Sequence, residues 1–173
     1  MKYLVIILLF MSLLGLKAHA QQAYKFGAGD EIEIVVFGQP DLHLKTLLSI
    51  DGNINYRFVG AIKAVGLTKK QLEDMIYQGL KGDYLVNPTV SVSIVKYRNI
   101  YVHGEVKKPG GYPYEPGLNI NKAISLAGGF TERAAKDKLF LVAETDVEAN
   151  KKMVNLSSSI TPGDTLYIEK RFF

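Results

Sequence analysis

Apolar and polar residues alternate from Glu31 to Phe37, with Ile32, Ile34 and Val36 set against Glu31, Glu33 and Val35. A period of two predicts a strand with one buried face, ended by Gln39-Pro40-Asp41. Asp51-Gly52 is the strongest short hairpin signal in the chain, because glycine accepts the positive φ of a tight turn. After it Ile54, Tyr56 and Phe58 alternate with Asn53, Asn55 and Arg57, which predicts a second one-faced strand. Gly60 and Gly66 punctuate a connector, and Thr68 with Gln71 has capping-box spacing. Leu72, Met75, Ile76 and Leu80 recur at three and four, predicting a helix from about Lys69 to Lys81 that stops at Gly82-Asp83. Asn87-Pro88 turns the chain into a half-buried strand carrying Val90, Val92 and Ile94. Hairpin, capped helix and return strand make a compact α+β unit without an evident catalytic group.

The pattern breaks at Tyr97-Arg98-Asn99 and a second unit follows. Asn99 to Val106 reads as a strand, Lys107-Lys108-Pro109-Gly110-Gly111-Tyr112 as a Gly/Pro turn, and a short helix over Asn121–Ala127 stops at Gly128-Gly129. Leu139, Leu141 and Ala143 predict a further strand, and Thr165–Lys170 closes the unit with Leu166 and Ile168 on one face. Strand, turn, strand, helix, strand, strand is the order of a β-grasp. One echo links the halves: Gly29-Asp30-Glu31-Ile32-Glu33-Ile34 and Gly163-Asp164-Thr165-Leu166-Tyr167-Ile168 share G-D-x-[I/L]-x-I. In each, glycine allows a turn and aspartate accepts backbone N–H groups as a strand begins, which predicts a structural device rather than a metal pair.

As an ordered set, Tyr24 to Asp30, Asp51-Gly52, Gly60, Gly66-Leu67-Thr68 and Asn87-Pro88-Thr89-Val90 resemble the N-terminal module of bacterial polysaccharide export proteins, the outer-membrane polysaccharide transporter family. Val102 to Tyr112, containing Gly104, Pro109 and Gly110, with Ala123 to Gly129, resembles the soluble-ligand-binding (SLBB) β-grasp domain that follows it there. The resemblance implies an α+β export module over 21–97 and a β-grasp, ubiquitin-like domain over 98–173. It also implies a homo-oligomeric ring that passes capsular or exopolysaccharide, an inner-membrane polysaccharide co-polymerase as partner, and no cofactor. Many members of that family are lipoproteins, and its long members cross the outer membrane with an added C-terminal helix. This sequence has no cysteine to carry a lipid and no apolar run of ~20 residues after its start. The expectation is therefore a periplasmic protein, peripheral to the outer membrane, served by a separate outer-membrane β-barrel protein.

Residues 1–20 are expected to be a cleaved signal peptide: Lys2 precedes the apolar run Tyr3–Leu16, and Ala18-His19-Ala20 places cleavage before Gln21. A retained N-terminal anchor is the alternative. Removing Lys2 and Lys17 from 21 basic residues leaves an excess of two over the 17 acidic ones. So small an excess, without a basic run, offers no footprint for nucleic acid. Zero cysteines also remove disulfides, thiolate metal sites and a cysteine nucleophile, so stability rests on the core.

Catalytic chemistry finds little support. After the signal the histidines are His43 and His103, in different units, without a ligand-spaced partner. Gly27-Ala28-Gly29 leads into a strand rather than a helix, the wrong context for a dinucleotide. Glycan hydrolysis needs only two carboxylates, but Glu31 and Glu33 beside Asp30 already read as the solvated side of a strand. Tyr97, Tyr101, Tyr112 and Tyr114 could stack on sugars or simply pack a sheet. The reading is a non-enzymatic export component; the alternative is a periplasmic glycan-binding accessory module without a transport role.

Overall fold

The computed structural model describes residues 23–146 and 148–171; the signal segment and its cleavage site lie outside them. Its apolar residues gather into two clusters, one drawn from Phe26 to Val92 and one from Ile100 to Ile168. The architecture is α+β in both.

In the first half, β1 (Glu31–Val36) lies between β2 (Leu44–Leu47) and β5 (Val90–Lys96) in an antiparallel sheet. Ile32, Ile34 and Val36 are buried, as period two requires, while Phe37 falls outside the strand and is exposed. Pro40 supplies the pre-set φ of a short 3₁₀ turn (Pro40–Leu42) that drops Leu42 into the core. Helix α1 (Lys69–Leu80) packs against β5. Its capping box is complete: Gln71 N donates to Thr68 Oγ1 at 3.3 Å and Thr68 N to Gln71 Oε1 at 2.8 Å. Leu72, Ile76 and Leu80 are fully buried. Each such side chain contributes roughly 1.5–3 kcal/mol against ~1 for the cap, so the apolar stripe, not the cap, holds the helix in place. Met75 departs from the expected stripe and stays half exposed, because the sheet reaches only the narrower Leu72–Ile76–Leu80 face.

Asp51-Gly52 does not join two paired strands. β2 is already paired with β1, and β3 (Asn53–Tyr56) instead pairs with β4 (Gly60–Lys63) around a turn at Arg57–Val59. Gly52 sits at the opposite, open end of that hairpin, where its carbonyl accepts N–H bonds from Ala64 and Val65 at 2.8 and 3.2 Å. It still needs glycine: φ is +74°, and an added Cβ would lie 2.8 Å from the Val65 Cβ. Gly52→Val should therefore cost on the order of 1–3 kcal/mol, read as a lowered melting temperature by circular dichroism. An unchanged transition would refute this placement. Phe58 also departs from expectation, lying in the turn rather than on the buried face.

In the second half, β6 (Ile100–Gly104), β7 (Gly110–Tyr112), β8 (Ala134–Val142), β9 (Lys152–Val154) and β10 (Thr165–Lys170) form one sheet in the order β7-β6-β10-β8-β9. β6 and β10 run parallel at its centre and every other pairing is antiparallel. Helix α2 (Ile120–Leu126) places Ile120, Ala123 and Ile124 in the core that the sheet shares. Two central parallel strands flanked by hairpin partners, with a helix between the second and third strands, is the β-grasp arrangement. α2 begins one residue earlier than expected because Asn119 caps it, accepting from Lys122 N at 2.9 Å. The three-residue edge strand β9 was not expected; Lys152 and Met153 are exposed and leave little alternation to read.

Candidate functional site

The most connected polar cluster lies where the two halves meet, and it is built around Asp30. This carboxylate is fully buried yet accepts four hydrogen bonds. Oδ2 receives the Gly27 N–H at 2.8 Å, the Tyr24 hydroxyl at 2.6 Å and Arg98 Nη1 at 3.0 Å, while Oδ1 receives the Arg98 N–H at 2.8 Å. Arg98 is the middle residue of the three-residue link, Tyr97 to Asn99, between β5 and β6. Its Nε and Nη2 reach Glu144 Oε2, in the loop after β8, at 2.7 and 2.6 Å. One guanidinium thus ties an aspartate of the first half to a glutamate of the second. Burial works against the charge on Arg98, but the Glu144 hydrogen bond, with Tyr24 and Asp30, outweighs it and holds the pKa above its usual value. Burial, then the bond to Asp30, pushes the Tyr24 phenol far above the ordinary tyrosine range, so it acts as a neutral donor.

Two glycines make room for this pair. A Cβ at Gly27 would collide with the Arg98 guanidinium, and one at Gly163 with the Glu144 carboxylate. The sequence echo has its explanation here. Asp164 is nearly buried and accepts the Thr161 N–H and hydroxyl at 2.9 and 2.8 Å, as Asp30 accepts Gly27 N, and each starts a strand one residue later. Asp164 also accepts Glu144 N at 3.3 Å, so both aspartates converge on the Arg98–Glu144 pair. Rings complete the joint: Tyr97 meets Tyr24 and Tyr114 edge-on, at 5.1 and 5.2 Å. Beside it opens a cleft of about 230 Å³ that includes Leu47, Lys96, Tyr97, Arg98, Tyr101 and Glu144 in its wall. Within it Arg98 and Glu144 pair with each other, and none of these lining residues is a nucleophile with a base beside it. This geometry ties the two halves of the chain together through Asp30, Arg98 and Glu144.

Of the residues marked in the sequence, Gly29 and Asp30 lie in this joint; the rest are dispersed. Asp51 accepts the Ser49 hydroxyl at the surface. Gly60, Gly66, Gly104, Gly128 and Gly129 all have positive φ at turns or strand ends, Thr68 caps α1, Pro88 is buried before β5, and exposed Pro109 precedes Gly110 at the start of β7. Of the four tyrosines, Tyr97 and Tyr114 pack in the joint, whereas Tyr101 is half exposed and Tyr112 donates its hydroxyl to the Lys108 carbonyl. Glu31 and Glu33 face Lys45 and His43 across the β1–β2 pair, at 3.4 and 3.0 Å, as a solvated cross-strand row. His103 lies beside the Tyr167 ring, 5.7 Å between centroids. Among the described residues no three His, Asp or Glu side chains gather where a metal could be held, and no helix is long and apolar enough to cross a membrane.

Arg98, Glu144 and Tyr24 were not singled out as site residues. Arg98 stood visible at the break in pattern, but nothing local marks Glu144, 46 residues away.

Comparison with known proteins matches residues 18–95 to the polysaccharide biosynthesis/export protein family and residues 99–154 to the SLBB domain. The exopolysaccharide production protein ExoF of Rhizobium meliloti (strain 1021) is 36% identical over 106 residues, covering 56% of this chain and 25% of the relative. The EPS I polysaccharide export outer membrane protein EpsA of Ralstonia nicotianae (strain ATCC BAA-1114 / GMI1000) is 29% identical over 132 residues, covering 61% of this chain and 34% of the relative. EpsA of Ralstonia solanacearum gives the same identity over 35% of its length. The chain thus spans about a quarter to a third of these relatives.

Proposed function

The chain belongs to the bacterial polysaccharide export family, and on that premise we propose that it is a periplasmic component of a conduit for capsular or exopolysaccharide. Its export module takes residues 21–97 and its SLBB β-grasp domain 98–173, after cleavage of a signal peptide between Ala20 and Gln21. Copies assemble head to tail into a ring whose lumen shields the hydrated polymer. An inner-membrane polysaccharide co-polymerase delivers the polymer to it, and an outer-membrane β-barrel protein completes the path. The mechanism is passive and needs no cofactor. The observation that carries this reading is the order of an export module followed directly by an SLBB domain. The Asp30–Arg98–Glu144 joint, buried at Asp30 and Arg98, supports the ring, since subunits that close a ring must present their two modules at one angle. The strands support a separate membrane partner, because the apolar faces of β1, β6 and β10 are spent on the two internal cores.

Deleting the gene should abolish surface polysaccharide while precursor synthesis continues, scored by sugar analysis of washed cells and of the lipid-linked pool. Undiminished surface polymer would sink the proposal. A purified protein that shortens or modifies the polymer would replace it with an enzymatic reading.

A further inference from the structure

The β3–β4 turn carries a backbone conformation that a bulky residue rarely adopts. Its chain is closed by Val59 N donating to the Tyr56 carbonyl at 3.1 Å, and Phe58, the third residue, has φ +68°. That position ordinarily takes glycine or asparagine, and a bulky residue there is an outlier. Ile54, Tyr56 and Ile62 already seat the hairpin in the core, and Val59 lies against Gly79 of α1. Phe58 itself remains 49% exposed. Its ring instead stacks on Tyr84, equally exposed, with centroids 4.6 Å apart and planes 24° from parallel. The Arg57 guanidinium stands 5.0 Å from the Phe58 centroid. At the same end of α1, the exposed Lys81 ammonium stands 5.2 Å from the Tyr77 ring, whose hydroxyl donates to Asn87 Oδ1 at 3.4 Å. Strained backbone positions of this kind cluster at ligand clamps and binding sites.

We propose that this patch is a polysaccharide-binding subsite in which a pyranose unit stacks on the Phe58–Tyr84 pair and Arg57 holds its oxygen groups. The naming of the ligand rests on the export reading above. The ring chemistry favours a sugar: the C–H face of a pyranose carries partial positive charge and meets the negative face of an aromatic ring. A platform already stacked and held by a hairpin loses little freedom on binding. The Arg57 guanidinium favours acidic units, because it forks onto a carboxylate; Asp83, in the loop that carries Tyr84, has the opposite charge.

The test uses the full chain expressed to the periplasm, titrated with hexagalacturonate and with cellohexaose by calorimetry. The parent should bind hexagalacturonate more tightly. Phe58→Gly removes the platform but suits the backbone, so it should weaken binding about tenfold without lowering the melting temperature. Tyr84→Ser should weaken binding similarly, and Arg57→Gln should weaken the acidic ligand more than the neutral one. Parent protein that binds neither oligosaccharide, or variants that bind as the parent does, would overturn the subsite. A Phe58→Gly variant that melts early and binds normally would show the stack to be purely structural. In a deletion strain, lost export restored fully by Phe58→Gly would refute the subsite and leave the export reading standing. Export that survives the deletion itself would refute the export reading, while the titrations still decide the patch.

Discussion

Gly104→Val should strongly destabilise the second module while the first keeps its core. Gly104 pairs with Ile168 in the central parallel ladder at φ +89°, and a side chain there would run into the Ile168 carbonyl. That carbonyl accepts Glu105 N at 3.1 Å, so it is backbone held on both sides and has no rotamer to yield. Conformational strain costs ~1–3 kcal/mol and overpacking a similar amount, against a total stability of roughly 5–15 kcal/mol for a small domain. Gly60→Ala is the control. Its φ of +86° imposes the same class of strain, but nothing lies within 4 Å of the new Cβ, so only a small drop in melting temperature should follow. Limited proteolysis with mass analysis should show cleavage confined to residues 98–173 in the Gly104 variant. Equal behaviour of the two variants would mean that the β6–β10 register is misassigned.

Asp30→Ala should be the most damaging change in the joint. It takes the buried carboxylate from a guanidinium whose side chain is only 14% exposed, leaving it the solvent-facing Glu144 and the Tyr24 hydroxyl, and it leaves the Gly27 and Arg98 N–H groups unpaired. Removing one member of a buried pair costs up to ~3–5 kcal/mol where the remaining charge is stranded; here Glu144 still compensates part of it, and each unpaired buried N–H adds about 1–3 kcal/mol. Glu144→Gln removes the other carboxylate of the same arginine, but Glu144 is 41% exposed. Water screens that interaction, and its loss should cost about 0–1 kcal/mol. Chemical denaturation of both variants reads the difference. The double variant Asp30→Leu with Arg98→Met should recover part of the loss, since no charge is then left buried without a partner. If Glu144→Gln proves as harmful as Asp30→Ala, the joint is anchored on the second module rather than on Asp30. If the proposed ring needs its modules at one angle, Asp30→Ala protein that still folds should also export less polymer.

Features set by near neighbours could be read directly from the residues. The Thr68–Gln71 box, the Leu72–Ile76–Leu80 stripe, the alternation of Ile32, Ile34 and Val36, and the aspartate that starts β1 and β10 all arise within four positions along the chain. Helical and strand periods write such patterns into sequence because each side chain's exposure follows from its own element. The α+β class and the β-grasp order followed from those elements taken in order. Tertiary structure alone decided which strands pair. Asp51-Gly52 looked like a hairpin turn, yet β1 had claimed β2 and left β3 for β4. It also decided which charge meets which: Arg98 finds Glu144 only because the loop after β8 returns to the junction. Phe58 kept its alternating position but lost its buried face, because the hairpin turns there rather than later. Such pairings depend on which surfaces arrive opposite one another, and that is a property of the packed chain, not of any short stretch of it.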